Sequence, residues 1–163
     1  FAAKGCKECT FKIAFDPASH PVKTEFIGFQ PEDGAEIDLG AAERVVSGGR
    51  GLGNAEGFKL IRDLAQTINA AVGASRAVVD SGWIAYKHQV GLTGRAVHPK
   101  LYVACGISGQ IQHLAGMSSS KNIVAINTDA DCPMMQVASV SVQGDLYELI
   151  PLVIEEIKKR QSH

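Results

Sequence analysis

The stretch CGISGQIQHLAGM, residues 105–117, sets a Gly-Ser-Gly turn between an apolar run, LYVAC, and a helix-like segment that carries His113. Glycines let a backbone approach a ligand closely. Ser108 adds a hydroxyl to the N–H groups that a helix start leaves unpaired, a combination that suits a phosphate or pyrophosphate. Two further loops follow apolar runs in the same manner, SGGRGLG (47–53) and NTDADCP (127–133). Arg50 and Arg76 stand among small residues, in GGRG and GASR, where an anion could come close. Each feature has a plainer reading beside it. Ser108 and Asp145 could only cap helices, Asn127 and Asp129 could only shape a turn, and His113 could be a satisfied helix histidine.

No nucleophile and base stand in a recognisable arrangement. The chain has no G-x-S-x-G and no H-E-x-x-H, and Ser75, Ser108 and His113 do not form a triad pattern. A binding surface without catalytic acids fits a cofactor that carries the chemistry itself, which the protein need only hold, orient and tune. Of the four cysteines only Cys6 and Cys9, in GCKEC, have suggestive spacing, and one C-x-x-C without a second pair is a weak metal or redox signal. Cys105 ends an apolar run and reads as a small buried hydrophobe. Nothing resembles a secreted disulfide framework, which favours a reducing compartment.

These loops need strands and helices to bring them together. RVVS (44–47), LYVAC (101–105) and NIVAIN (122–127) read as buried strands. Between them, Phe58, Ile61, Leu64, Ala65, Ile68 and Val72 recur at three and four residues, which predicts a helix from an Asn54 N-cap to about Val72. A second helix is expected from about Gly109 to Ala115. The last segment, GDLYELIPLVIEEIKKR, begins with Asp145 and Glu148 in capping-box spacing, and Pro151 is expected to break or kink it. Strand and helix in alternation predict an α/β fold, doubly wound, with a mostly parallel Rossmann-like sheet and helices on both faces. In such a sheet the three loops share one edge, beyond the carboxyl ends of the strands.

Residues 1–42 read differently. TFKIAF (10–15) and KTEFIGF (23–29) alternate like strands around DPASHP, and an acidic connector follows. They are expected to form a β arm and connector, the end of a preceding domain, leaving 43–163 as the ligand-binding domain. The chain opens on Phe1, which reads as a fragment or a processed product. Its 163 residues, 45% hydrophobic and 20% charged with a net charge of −1, describe an ordinary globular protein. That balance argues against a nucleic-acid or membrane-surface role, and no apolar run approaches the roughly 18 residues that membrane insertion needs.

Taken together, VVSGGRGL (45–52), AAVGASRAVVDSGW (70–83), QVGLTGR (89–95), LYVACGISGQIQHLAGM (101–117), IVAINTDADCPMMQVA (123–138) and GDLYELIP (144–151) resemble, in order, the C-terminal FAD-binding domain of the electron transfer flavoprotein alpha subunit. The resemblance covers about residues 43–160. It implies an electron carrier without a substrate reaction of its own, holding FAD at the sheet edge. Its implied partners are the beta subunit of a heterodimer, flavin dehydrogenases such as acyl-CoA dehydrogenases, and a downstream redox acceptor. The implied setting is the bacterial cytoplasm, or the mitochondrial matrix in a eukaryote.

Carried over by position, the resemblance puts Arg50, Ser75 and Arg76 beside the flavin, with the Arg76 charge near the ring. Gln89, Val90, Gly91, Leu92 and Thr93 then line the ring. Gly106, Ser108, Gly109, Gln110, Ile111, Gln112 and His113 span pyrophosphate and flavin, with His113 approaching the pyrimidine carbonyl. Asn127 takes the ribityl–phosphate side, and Asp145 and Leu146 the adenosine end. Two residues depart from the family pattern: Leu92 stands where glutamine is usual, and Gln110 where alanine is usual. The residues alone leave two other readings open, an α/β domain binding NAD or another nucleotide within a larger enzyme, and a scaffold that keeps the fold without a cofactor.

Overall fold

Alternating burial in short apolar segments builds the sheet. Val45, Tyr102, Ala104, Ile123 and Ala125 enter one buried cluster, while their neighbours Val46, Val103, Cys105 and Ile126 enter another. This is the period of two expected of strands covered on both faces. The computed structural model describes residues 37–161, so the expected strands at 10–15 and 23–29, and the Cys6–Cys9 pair, lie outside the described residues.

Five strands form one all-parallel sheet in the order β2-β1-β3-β4-β5, with β1 at Arg44–Gly48, β2 at Ala71–Ala74, β3 at Leu101–Cys105, β4 at Ile123–Asn127 and β5 at Val140–Gln143. Registers Gly48↔Ala74, Gly48↔Cys105, Cys105↔Ile126 and Asn127↔Gln143 align the carboxyl ends along one edge. The chain leaves β1 to one side for β2 and later returns to the other side for β3. The order therefore reverses between β1 and β3, the place where this topology opens a crevice for ligands.

One face of the sheet is covered by α1 (Phe58–Thr67) and α5 (Leu146–Gln161), which pack on each other and on the cluster containing Val46 and Ile126. Phe58, Ile61 and Leu64 of α1 are buried, each contributing about 1.5–3 kcal/mol of transfer free energy. Also on this face, α2 (Arg76–Asp80) inserts Val78. The opposite face is closed by Val90 and Val97 from a long loop, by Met117 just past α3 (Ile111–Leu114), and by Met134 and Met135 of α4 (Pro133–Val137). Leu39 and Ala42, before β1, are buried in this second cluster.

Several expected boundaries shift. The helix predicted to reach Val72 stops at Thr67. Asn69 turns the chain with φ 51°, and residues 71–74 then pair with β1 as a strand. Asparagine tolerates this left-handed conformation and ends helices with it. Asn54 does cap, its side-chain oxygen accepting from the Gly57 N–H at 3.1 Å, but it caps a 3₁₀ turn, Ala55–Gly57, that leads into α1. The helix after the Gly-Ser-Gly turn is shorter than predicted, four residues instead of seven. Pro151 does not split the last helix. α5 runs through it as one element, forgoing the bond to the Tyr147 carbonyl. Asp145 caps α5 by accepting from the Tyr147 N–H at 2.8 Å, and the Tyr147 hydroxyl donates to the Leu52 carbonyl at 2.6 Å.

Candidate functional site

Two glycine-bearing loops meet at the strand-order reversal. The chain leaving β1 donates from Gly49 N to the Cys105 carbonyl at 2.9 Å and from Gly51 N to the Gly106 carbonyl at 3.0 Å. A Cβ on Gly51 would lie 2.6 Å from Gly106 Cα, so the two backbones touch because neither carries a side chain. Gly106 itself has φ 62°, a left-handed turn that sends the chain away from β3 toward α3.

From that junction a cleft of about 500 Å³ runs along the carboxyl edge. Such a volume suits a bound small molecule or cofactor. Of the residues singled out in the sequence, Arg50, Ser75, Arg76, Gln89, Val90, Gly91, Leu92, Thr93, Gly106, Ser108, Gln110, Gln112, His113 and Asn127 all line it. Gly109, Ile111, Asp145 and Leu146 do not. Gly109 is buried against α4 and Leu146 is buried in the core, whereas Ile111 is 80% exposed. Asp145 follows the end of β5 as the cap of α5. The cleft also takes in Gly51, Ala77, Asp80, Ile107, Asp129 and Cys132, to which the sequence reading gave no binding role. Asp80 had a readable signal, lying four residues after Arg76 on one helix face.

The donor groups are distributed unevenly. Among the described residues, the backbone N–H groups of Ser108, Gly109, Gln110, Ile111 and Gln112 donate to no backbone carbonyl. Successive free amides of this kind form a concavity for anionic oxygens. Ser108 is exposed and does not cap α3, whose N-cap position is held by Gln110. Arg76 Nε is 3.2 Å from Asp80 Oδ2, with both side chains more than half exposed. Exposed pairs of this type contribute about 0.3–0.5 kcal/mol, so an incoming anion can displace Asp80. Arg50 has no carboxylate partner among the described residues.

Against the residues that carry the free amides, the loop QVGLTGR is held by its own backbone bonds. Val90 N donates to the Ala74 carbonyl at 2.9 Å, Leu92 N to the Gln112 carbonyl at 2.8 Å and Arg95 N to the Gln89 carbonyl at 2.7 Å. Gln89, buried despite its amide, donates through Nε2 to Thr93 Oγ1 at 3.0 Å. Leu92 at the loop tip is 71% exposed at the mouth of the cleft. Asn127 is likewise committed: its Nδ2 donates to the Ile107 carbonyl at 3.1 Å, and its Oδ1 accepts from Asp129 N at 3.2 Å. The second bond shapes the turn after β4, and the first ties two cleft walls together.

His113 is 6% exposed, and burial pushes its imidazole down to about 4, with the Val90 carbonyl favouring protonation weakly. The ring is therefore neutral at pH 7. Its Nε2 is 2.9 Å from the Tyr102 hydroxyl, and its Nδ1 forms no hydrogen bond among the described residues. A buried polar atom without a partner costs about 1–3 kcal/mol, which a ligand acceptor or donor could recover.

Among the described residues no group of histidine, cysteine and carboxylate side chains is arranged to hold a metal ion, and no helix is long and apolar enough to cross a membrane.

Residues 38–118 match the family model described as the electron transfer flavoprotein FAD-binding domain. The chain is 52% identical over 148 residues to the electron transfer flavoprotein subunit alpha of Thermoanaerobacterium thermosaccharolyticum, covering 91% of this chain and 45% of that protein. It is 50% identical over 127 residues to the subunit alpha of Bacillus subtilis, covering 78% of this chain and 39% of that protein. To the mitochondrial subunit alpha of Arabidopsis thaliana it is 48% identical over 139 residues, covering 85% of this chain and 38% of that protein. The chain thus spans less than half the length of these relatives.

Proposed function

Since the chain belongs to the electron transfer flavoprotein alpha family and carries its FAD-binding domain, we propose that its cleft holds FAD for the passage of electrons between protein partners. The observation that carries this reading is the pairing of free backbone amides at Ser108, Gln110 and Gln112 with two arginines along one cleft at the strand-order reversal. The amides suit a pyrophosphate, and the walls formed by residues 89–93 suit a flat ring system. The reading keeps Asp145, beyond the end of β5 and outside the cleft, for an adenosine that extends past it.

The flavin, when bound, supplies a ring that accepts and releases electrons. The chain does the rest. Arg76 and Arg50 bring positive charge to a partly enclosed wall, where added negative charge is stabilised more than in open water. Thr93 is fixed by Gln89 rather than left to rotate, and it presents its hydroxyl from a closed loop. Ile107 and Val90 exclude water from the cleft floor. The reading assigns no side chain to bond-making, which agrees with the lack of a nucleophile and base pair.

The proposed partners are the beta subunit, flavin dehydrogenases such as acyl-CoA dehydrogenases as donors, and a redox acceptor downstream. The two exposed apolar side chains Leu92 and Ile111, near the cleft mouth, support a protein contact at that end. The setting proposed is the bacterial cytoplasm or the mitochondrial matrix.

The experiment is direct. The purified protein is incubated with FAD, freed of excess by gel filtration and examined by visible absorption. Retained flavin bands are expected. A colourless protein, both alone and with a beta subunit, sinks the proposal.

Arg76→Ala is expected to lower the one-electron potential by about 59 mV, the equivalent of a tenfold change for one electron. Potentiometric titration of the loaded protein checks it. An unchanged potential removes Arg76 from the electrostatic role.

A further inference from the structure

Behind the cleft wall lies a buried polar group of three side chains on one face of the sheet. Tyr102, on β3, is fully buried within an apolar strand, and its hydroxyl meets His113 Nε2 at 2.9 Å. The two rings stand edge to face, with centroids 6.2 Å apart and planes at 62°, which fixes the orientation of the imidazole. Ser47, on the neighbouring strand β1, is also fully buried, and its Oγ has no hydrogen-bond partner among the described residues. It occupies space left by Gly73, where a Cβ would come within 2.2 Å of that oxygen. Burial raises the Tyr102 phenol well above its ordinary value, so it stays protonated, and the nearby Ser47 hydroxyl opposes that shift in part.

A neutral imidazole carries one proton, on one nitrogen or the other, and its partners decide which. The Val90 carbonyl beside His113 can only accept, and it favours a ring N–H. The Tyr102 hydroxyl can donate or accept. If Nε2 carried the proton, Nδ1 would be a buried lone pair with no donor, and no acceptor atom of a cofactor could use it. If Tyr102 donates to Nε2, the proton sits on Nδ1 and the phenol oxygen remains free to accept from Ser47.

We propose that Tyr102 is a positioning residue, whose hydroxyl donates to His113 Nε2 and holds the cleft imidazole in its Nδ1–H form, leaving that N–H as the donor for an acceptor atom of the bound cofactor. The part concerning the cofactor rests on the FAD reading; the part concerning the proton does not. Tyr102 touches no ligand itself. It acts through His113, and the edge contact that orients the ring belongs to the same role.

The test uses the intact protein, first free of flavin and then loaded. Nitrogen-15 and proton correlation spectra of the histidine side chains distinguish the two neutral forms, and the His113 signals are identified by their loss in His113→Gln. The wild-type protein is expected to show Nδ1–H at His113. In Tyr102→Phe, which keeps the ring and removes the hydroxyl, the Nε2–H form is expected to rise to at least an equal share. Ser47→Ala is expected to leave the wild-type form in place. An Nε2–H form in the wild type overturns the proposal without any variant, so a variant that fails to fold does not shelter it. An unchanged form in folded Tyr102→Phe also overturns it.

In the loaded protein, Tyr102→Phe is expected to keep FAD affinity within about threefold and to weaken uptake of the first electron about tenfold, which is about 59 mV. A merely structural tyrosine would lower stability and leave both the proton position and the potential where they were. If no protein, wild type or variant, takes up FAD, the FAD reading fails while the spectra of the flavin-free protein still decide where the proton sits.

Discussion

Replacing Gly109 with alanine is expected to destabilise the protein by about 3 kcal/mol or more and to abolish FAD retention. Gly109 has φ 84°, in the left-handed region, where a side chain costs roughly 1–2 kcal/mol. A Cβ there would also lie 2.3 Å from the backbone nitrogen of Met134 and 2.8 Å from its Cα. Backbone cannot rotate aside as a side-chain tip can, and overpacking of this kind typically adds about 1–3 kcal/mol. The Met134 N–H donates to the Ser108 carbonyl at 3.1 Å, so the displacement also loosens the bond that seats the cleft loop on α4. Gly53→Ala is the control. Its φ of 76° brings the same backbone penalty, but nothing lies within 4 Å of the added atom. Denaturant unfolding of both variants separates the two effects. Equal losses in the two would show that the contact with Met134 has no part in the cost.

The second large effect concerns acid. The imidazole of His113 takes a proton near its ordinary value of 6.5 when unfolded, but only near 4 when folded, because burial disfavours the charged form. Between those values the unfolded chain binds more protons. Stability therefore rises with pH across that window, is fully present above 6.5, and is lost as pH falls toward 4. The contribution is about 3 kcal/mol, most of it gone near the lower limit. Measured by denaturant unfolding across this range, wild type is expected to lose that much more stability than His113→Gln, which has no group titrating there. Parallel losses in the two proteins would place the imidazole in contact with water in the folded state.

How far the sequence showed this architecture depended on where each signal came from. Strands β1, β3 and β4 were legible because their apolar runs are short, buried on both faces and bounded by glycine, asparagine or proline. Strand β2 was not, because Ile68 and Val72 continue the spacing of α1 and the chain reversal at Asn69 leaves no mark in hydrophobic periodicity. Strand β5 lies at the sheet edge with most of its residues exposed, and α4 is a five-residue helix, so neither has a long pattern to read.

The candidate site followed the same division. Loops at strand ends could be assigned to one edge as soon as the sheet was inferred, and Arg50, Ser108 and Asn127 line one cleft accordingly, whereas Arg76 and His113 were placed there by the family resemblance. Their partners were hidden. Tyr102 looked like one more apolar strand residue, since its contact with His113 depends on how α3 lies against β3. Asn127 was readable as a cleft residue, but its use in joining two walls rests on a carbonyl twenty residues away.

The QVGLTGR loop adds a kinetic consequence. Bonds from its backbone already reach β2, α3 and its own far end, and a side-chain bond locks Thr93. A molecule arriving at this wall meets a surface that has given up its conformational freedom in advance, so little entropy remains to be lost on contact. Capture then depends on encounter and orientation rather than on waiting for a rearrangement, and how long the guest stays is set by the contacts it must break to leave.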